Sequence, residues 1–237
     1  MVKIIAEGCD GKYTINQLLT VMEALRSPGG CPWDMEQTHS SIKNDALEEV
    51  YEVVDAIDTG DIPALCEELG DMLLQVVFHS QIVKEESEFT FEDVVDGICK
   101  KLILRHPHVF GSESVNNSSE VLNLWDSIKQ KEKNQTTVTS TLESVPKAFP
   151  ALMRAAKVQK RAKKAGVIES VTANQVANSI NAFNLALSTD NKEQQKQAYG
   201  NLLFSLAGIS ETLGFNAEEV LNCTTNTFID GVKKSEL

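Results

Sequence analysis

The chain has 237 residues and a formal net charge of −12, with 42% hydrophobic and 24% charged residues, a composition typical of folded proteins. The negative charge argues against a nucleic-acid partner, because phosphate backbones repel acidic surfaces. No stretch reaches the roughly 20 apolar residues of a membrane span, so we expect no membrane partner.

The first half of the chain shows the three- and four-residue spacing of apolar side chains that is typical of amphipathic helices. A first helix is predicted after Thr14, a residue type that often caps helices, and Ser27–Gly30 ends it. Further helices are predicted at about residues 38–58, 63–86, 91–104 and 118–133. A short connection at Gly60 and Asp61 joins two of them, which predicts an antiparallel hairpin.

The second half of the chain begins with a change of composition. Residues 135–149 are rich in Thr and Ser and lack periodicity, which predicts a linker between domains at residues 1–134 and 150–237. Helical spacing resumes at about residues 150–164, 172–188, 192–213 and 217–233. Because almost no strand alternation is present, the predicted fold class is all-α, with helix hairpins packed into four-helix-bundle-type cores.

Cysteine usage and the start of the chain indicate a compartment. The five cysteines are scattered, odd in number and form no C-x-x-C pair, a pattern typical of reduced thiols. The first residues lack the apolar core of a signal peptide. We therefore expect a cytoplasmic protein.

Acidic residues cluster on the two helices of the predicted hairpin. The earlier helix carries Glu48, Glu49 and Glu52, and the later helix carries Glu68 and Asp71. Residues three or four positions apart share one face of a helix. Both acidic groups lie at a similar distance from the turn, so we expect them side by side.

Such a cluster predicts a metal site, because neighbouring carboxylates repel one another unless a cation lies between them. No His or Cys falls at ligand spacing, which argues against zinc. Oxygen ligands favour Mg²⁺, with Mn²⁺ as a substitute. A di-iron site would need the motif Glu-x-x-His on two helices. The positions where the histidines would stand are Glu52 and Asp71, which argues against di-iron.

A solvated acidic face is the alternative interpretation, and the earlier helix alone would fit it. The later helix fits it poorly, because it is apolar almost all round after Asp71. Glycine lowers the stability of a helix interior. The close approach of a helix or a ligand would explain why a glycine stands at position 70.

Several successive motifs resemble the MazG family, the all-α nucleoside triphosphate pyrophosphohydrolases. "EEVYE" followed by "EELGD" is similar to the acidic signature of that family. "GCPWDMEQTHSSI", "ELGDMLLQVVFHSQI", "RHPHVFG" and "VLNLWDSIKQKEK" extend the resemblance over about residues 14–133.

This resemblance implies Mg²⁺-dependent hydrolysis of nucleoside triphosphates to the monophosphate and pyrophosphate, a house-cleaning activity on nucleotide pools. Carried over by position, Glu49, Glu52, Glu68 and Asp71 would be metal ligands. Glu48 would be a further ligand or would orient the attacking water, so Glu48, Glu49 and Glu52 are the candidate catalytic residues. The resemblance also implies a homodimer.

Five further residues are candidates for binding the nucleotide. Trp33 and Trp125 could stack on a base, and Gln37 could reach a base edge. Arg105 and Lys129 could contact phosphates. Each has a structural alternative, such as a core position for Trp33 or a helix-end position for Arg105.

Two histidines near these motifs are assigned to structure. His79 lies on the apolar helix and is predicted to be a buried, hydrogen-bonded residue. His39 lies near a predicted helix start and is expected at the surface.

The second half resembles the first at a constant offset of 130 residues. "ELGDMLLQ" at residues 68–75 aligns with "AYGNLLFS" at residues 198–205. The apolar pattern is kept, but the acids are replaced: the counterparts of Glu48, Glu49, Glu52, Glu68 and Asp71 are Asn178, Ser179, Ala182, Ala198 and Asn201. The sequence thus predicts a degenerate second MazG-like unit without metal ligands.

Two alternatives to a general pyrophosphohydrolase stay open. An enzyme with a narrow substrate, such as dUTP or a modified nucleotide, would need the same acids. A nucleotide-binding or regulatory protein without turnover would also fit, given the degenerate second unit.

Overall fold

The computed structural model describes residues 11–132 and 137–236, apart from the side chains of Asn123, Asp126, Gln130 and Lys131. Within these ranges the chain folds into helices and contains no strand, so the predicted all-α fold class is confirmed. No helix in the described part is long and apolar enough to cross a membrane.

The chain divides into two compact units, residues 1–125 and 126–237. The helices of the first unit are α1 (Ile15–Arg26), α2 (Pro32–Glu36), α3 (Asp45–Thr59), α4 (Ile62–Glu85), α5 (Phe91–Arg105) and α6 (Pro107–Phe110). Helix α7 (Ser118–Glu132) contains the division point. The second unit continues with α8 (Val138–Glu143), α9 (Ala151–Lys164), α10 (Ala173–Leu187), α11 (Lys192–Leu213) and α12 (Ala217–Ser235).

The predicted hairpin is formed by α3 and α4, and its turn is set by local chemistry. Gly60 ends α3 in the left-handed conformation, with a φ of 71°, which glycine adopts without strain. Asp61 then caps α4 by accepting a hydrogen bond from the Ala64 N–H at 3.1 Å. The two helices therefore pack antiparallel.

Helix α3 begins at Asp45, later than the predicted start near residue 38. The difference arises from Thr38 and Ser41, which hydrogen-bond to each other's backbone N–H groups at 3.2 and 2.9 Å. Such bonds between side chain and backbone compete with helix formation. The next residue, Ile42, is buried in the core of the first unit.

The core of the first unit lies between α1 and α4. Its buried members are Met22, Ile42, Val77, Phe78 and Ile82. A different side of the hairpin leaves apolar side chains partly open to solvent, among them Leu69, Leu73 and Val76, which are 45%, 40% and 41% exposed. The hairpin thus has one packed side and one apolar side that the described residues leave partly open.

The second unit contains its own antiparallel hairpin, formed by α10 and α11. Its buried positions Ala186, Ala207 and Ser210 lie 130 residues after the buried Ala56, Val77 and Ser80 of the first hairpin. The side chain of Gln159 on α9 is buried and donates a hydrogen bond to the Phe204 carbonyl at 2.8 Å. The offset found in the sequence thus recurs in the burial of the two hairpins.

The segment predicted as a linker, residues 135–149, is partly helical and partly buried in its described residues. It contains α8, and Val145 is completely buried. Arg161 of α9 donates to the Thr141 carbonyl at 2.6 Å and to the Ser144 hydroxyl. Helix α8 has too few residues for a periodic pattern, so the sequence did not reveal it. Residues 135 and 136, and the predicted domain boundary at 134, lie outside the described residues.

Candidate active site

The α3–α4 hairpin brings acidic side chains from both helices together, as predicted. Carboxylate oxygens of Glu49, Glu68 and Asp71 lie within 4.8 Å of one another, and all three residues are half-buried. Mg²⁺ holds oxygen ligands at about 2.1 Å, so oxygens on opposite sides of the ion are about 4.2 Å apart. The spacing of the three carboxylates therefore suits one small divalent cation after slight side-chain adjustment.

The electrostatics show strain in this cluster, which we call the acidic cluster. Desolvation raises the pKa of Glu49, and the carboxylates of Asp71 and then Glu52 raise it further. Desolvation also raises the pKa of Glu68, followed by the charges of Glu52, Glu67, Asp71 and Glu49. Since a raised carboxyl pKa means that the charged form is disfavoured, a cation at this position would relieve the repulsion.

The two remaining predicted acids differ in their relation to the acidic cluster. Glu52 is exposed on α3 but acts on the pKa of both Glu49 and Glu68, so it lies beside them. Glu48 is exposed on the same helix and is not one of the three clustered residues. Glu48 is also not among the charges that shift the pKa of Glu49 or Glu68, so the structure does not bring Glu48 into the acidic cluster.

Gln75 is a neighbour of the acidic cluster that the sequence analysis missed. Its Nε2 atom donates to Glu49 Oε1 at 3.5 Å. Its Oε1 atom is buried and has no hydrogen-bond partner among the described residues. A buried oxygen without a partner is costly unless water or a ligand satisfies it. The position of Gln75, four residues after Asp71 on α4, was the available signal.

Gly70 is open to solvent in the described part of the chain. A Cβ atom at Gly70 would have no described non-local neighbour within 4 Å. Gly200, at the equivalent position of α11, is equally open. The close approach of a ligand or of another helix at Gly70 stays a prediction.

Trp33 lies on α2 and Gln37 directly follows it, within residues 32–42, which we call the α2 segment. Trp33 is 58% exposed, so it is not a core residue. The Gln37 side chain donates to the Trp33 carbonyl at 2.8 Å and accepts from the Ser41 hydroxyl at 2.7 Å. Both residues are therefore held in one hydrogen-bonded segment.

Arg105 and Trp125 lie in direct contact. Arg105 is the last residue of α5 and only 7% exposed, and its guanidinium carbon lies 5.4 Å from the centroid of the Trp125 ring. This distance is within the range of a cation–π interaction. Lys129 follows Trp125 by four residues on α7, in the portion of the helix assigned to the second unit.

His39 and His79 form a pair that joins the segment before α3 to α4. Their Nδ1 atoms are 2.7 Å apart and their rings stack with planes inclined by 12°. Desolvation, followed by the neighbouring His39, lowers the pKa of His79. The expected hydrogen bond of His79 is confirmed, but His79 is half-buried rather than buried, and His39 is half-buried rather than a surface residue.

A family model described as the MazG nucleotide pyrophosphohydrolase domain matches residues 37–110. The nucleoside triphosphate pyrophosphohydrolase of Escherichia coli (strain K12) is 41% identical over 221 residues, which cover 90% of this chain and 84% of that protein. The chain belongs to the MazG family. The nucleoside triphosphate pyrophosphohydrolase/pyrophosphatase MazG of Thermotoga maritima is 37% identical over 228 residues, covering 93% and 84% of the two chains.

A crystal structure of a mazG-related protein from Thermotoga maritima matches with 25% identity and a TM-score of 0.43, over 49% of this chain and 99% of that chain. The predicted MazG family and its enzyme class, the nucleoside triphosphate pyrophosphohydrolases, are confirmed by the curated relatives. All five predicted acids lie within the residues that the MazG family model matches.

Proposed function

We propose that this MazG-family chain hydrolyses ribo- and deoxynucleoside triphosphates to the monophosphate and pyrophosphate with Mg²⁺, in a house-cleaning role. The observation that carries the proposal is the acidic cluster of Glu49, Glu68 and Asp71, whose carboxylates converge from two helices. The names of the relatives from Escherichia coli and Thermotoga maritima agree with this activity.

The residues that would hold the metal are Glu49, Glu52, Glu68 and Asp71. The spacing of the carboxylates, their raised pKa values and the unpartnered oxygen of Gln75 all fit a small cation with oxygen ligands. When bound, Mg²⁺ or its substitute Mn²⁺ neutralises negative charge on the phosphates.

The reaction breaks one phosphoanhydride bond. The oxygen of a water molecule forms a bond to the α-phosphorus, while the bond from that phosphorus to the α–β bridging oxygen breaks and pyrophosphate leaves. Glu48, exposed on α3 one residue before Glu49, would accept a hydrogen bond from this water and orient it. One proton of this water passes to a carboxylate on α3, and the candidates are Glu48, Glu49 and Glu52.

The nucleotide would be held by the remaining candidates. The exposed ring of Trp33 can stack on a base, and Gln37 on the same segment can meet a base edge. Trp125 offers a second ring, and Arg105 and Lys129 offer positive charge for phosphates. Arg105 already lies against Trp125, so the two would act as one unit.

Product analysis tests this function. Each ribo- and deoxynucleoside triphosphate is incubated with the protein and Mg²⁺, and products are separated by anion-exchange chromatography. We expect equal amounts of monophosphate and pyrophosphate, no diphosphate, and loss of turnover in EDTA. Release from a single nucleotide would support the narrow-substrate alternative. Binding without release from any nucleotide would support the non-catalytic alternative and refute the proposal.

We also propose that residues 150–237 form a degenerate MazG-like domain that keeps the fold without the metal site. At the positions of Glu49 and Gln75, the second hairpin has Ser179 and Ser205, whose hydroxyls lie 2.8 Å apart. An uncharged hydrogen bond thus stands where the first hairpin has a carboxylate. In this proposal residues 1–134 form the catalytic domain, and residues 135–149 connect it to the degenerate domain.

A homodimer is the assembly we propose. The apolar side of the α3–α4 hairpin leaves Val50, Val54, Leu69, Leu73 and Val76 between 40% and 46% exposed in the single chain. A helix face of this kind needs a partner to leave water. Light scattering after size exclusion should give twice the chain mass, and Leu73→Asp should give a monomer while Glu86→Lys at the end of α4 does not.

The cytoplasm is the location we propose. The four cysteines in the described part, Cys31, Cys66, Cys99 and Cys223, are all free thiols. Free cysteines are typical of reducing compartments. Cys9 lies outside the described residues.

A further inference from the structure

Arg26, at the end of α1, has a guanidinium group that is almost fully removed from solvent, with the side chain 5% exposed. Its Nε atom donates to Glu85 Oε1 at 2.9 Å and its Nη2 atom donates to Glu85 Oε2 at 2.7 Å. The two groups form a bidentate ion pair between α1 and α4. Hydrogen bonding from Arg26 also lowers the pKa of Glu85, so this carboxylate stays charged at neutral pH.

The opposite edge of the same guanidinium holds the α2 segment. The Nη1 atom donates to the backbone carbonyls of Asp34 and Gln37, the latter at 3.1 Å. These carbonyls belong to the last turn of α2 and to the residue that follows it. The Phe78 ring lies 5.4 Å from the guanidinium carbon and adds a cation–π contact from α4.

Arg26 holds the middle of the α2 segment, between the hydrogen bond from the Cys31 N–H to the Leu25 carbonyl at 2.8 Å and the His39–His79 pair. Helix α2 has five residues and no side-chain cap, and helices of this length do not persist on their own. A cavity of about 420 Å³ lies between residues 37–40 and the end of α4, so apolar packing does not fix this stretch. Arg26 reaches across the side of this cavity to the two carbonyls.

We propose that the Arg26–Glu85 pair is a positioning element that fixes the segment carrying Trp33 and Gln37 in the arrangement that receives the nucleotide base. This inference rests on the proposed function, in which Trp33 and Gln37 contact that base. Arg26 itself touches neither the acidic cluster nor the reacting bond in this account. The planar fork of arginine is required, since Arg26 makes two hydrogen bonds to Glu85 and two to the carbonyls, whereas a lysine ammonium has three donors on one atom.

Arg26→Lys and Glu85→Gln test the proposal in the full-length chain. Hydrogen exchange of the peptide that covers residues 33–42 is measured without nucleotide, and KM and kcat are measured for a triphosphate substrate. We expect exchange in this peptide to quicken at least about tenfold. KM should rise by a similar factor while kcat stays within about threefold, because the acidic cluster is untouched.

Lys84→Gln is the matched control. Lys84 and Glu23 also join α4 to α1, at 3.2 Å, but this pair is exposed and contacts no part of the α2 segment. The control should leave exchange of residues 33–42 and KM unchanged.

Three results would overturn the inference: unchanged exchange in both variants, exchange changes equal to those of Lys84→Gln, or a fall in kcat without a rise in KM. If one variant fails to fold, the other decides. If the wild-type protein shows no turnover, the proposed function fails, while the exchange measurement still decides whether Arg26 fixes the segment.

Discussion

The α3–α4 and α10–α11 hairpins use the same packing and differ in charge. Ala56, Val77 and Ser80 are buried in the first hairpin, and Ala186, Ala207 and Ser210 are buried at the same positions of the second. In the first, Gln75 approaches the carboxylate of Glu49. In the second, Ser205 meets the hydroxyl of Ser179 at 2.8 Å.

This difference separates what the fold needs from what the chemistry needs. The second hairpin forms without any of the five acids, so none of them is required to build a helix pair of this kind. In the first hairpin the acids act against stability, because their mutual repulsion and desolvation raise the pKa values of Glu49 and Glu68. Residues that cost stability and are not needed for packing are expected at functional sites.

The largest expected effect on stability concerns one pair of equivalent positions, Phe78 and Gly208. Phe78 is 4% exposed in the first core, and Phe78→Ala should cost about 4 kcal/mol through the cavity it leaves. A Cβ at Gly208 would lie 2.2 Å from Gln159 Oε1 and 2.6 Å from a Val171 methyl carbon. Gly208→Ala should therefore destabilise by about 1 kcal/mol, through crowding that outweighs its better helix propensity.

Urea unfolding followed by far-UV circular dichroism measures both changes. A Gly208→Ala protein that is more stable than the wild type would mean that helix propensity dominates. The two hairpins would then be packed more alike than the structure indicates.

The next largest effect is expected from metal binding, which should stabilise the first hairpin and not the second. Saturating Mg²⁺ should raise the melting temperature of the wild type by a few degrees, because a ligand that binds only the folded state stabilises it. Glu68→Gln should remove most of this rise. In EDTA the same variant should melt above the wild type, since one repelling carboxylate is gone.

Differential scanning calorimetry with and without Mg²⁺ makes this measurement. Glu88→Gln, an exposed acid of the same unit outside the acidic cluster, serves as the control and should keep the full rise. An equal Mg²⁺ effect in Glu68→Gln and wild type would place the metal elsewhere.

The smallest expected effect is a pH dependence from the His39–His79 pair, which the second hairpin lacks because Ile209 stands at the position of His79. A histidine with a lowered pKa binds fewer protons in the folded chain than in the unfolded chain. Stability contributed by His79 is therefore complete above pH 6.5 and is lost as the pH falls from there toward the lowered value. Protonation also removes the acceptor nitrogen of the hydrogen bond between the two rings.

We expect the melting temperature to fall by about 1–2 °C more in wild type than in His79→Gln between pH 7 and pH 5.5. Calorimetry in matched buffers measures the difference. Identical pH profiles for the two proteins would show that folding leaves the affinity of His79 for protons unchanged.

Local signals in the sequence were sufficient for most of the long helices and for the acidic cluster, but not for α8 or for the start of α3. Thr14 caps α1, Gly60 ends α3 and Asp61 caps α4, each through contacts within a few residues. The acids could be placed together because helical spacing and a short turn fix their relative positions. These features depend on neighbours in the chain, which a sequence displays.

Features that depend on distant neighbours were missed. The partner of His79 is 40 residues away, and the Arg26–Glu85 pair spans 59 residues. Nothing in the pattern around either residue identifies its partner. The space around Gly70 could not be predicted for a related reason, because other elements set it, and among the described residues it is open.

The most direct test of the account compares Asp71→Asn with Asn201→Ala. The first change gives the first hairpin the residue that the second hairpin has, and the second change alters the equivalent position of the second hairpin. Pyrophosphate release is measured for both proteins with saturating Mg²⁺ and triphosphate. We expect a loss of at least about 100-fold in Asp71→Asn and a rate within about twofold of wild type in Asn201→Ala. Asp71→Asn turning over like the wild type, or Asn201→Ala losing activity, would contradict this expectation.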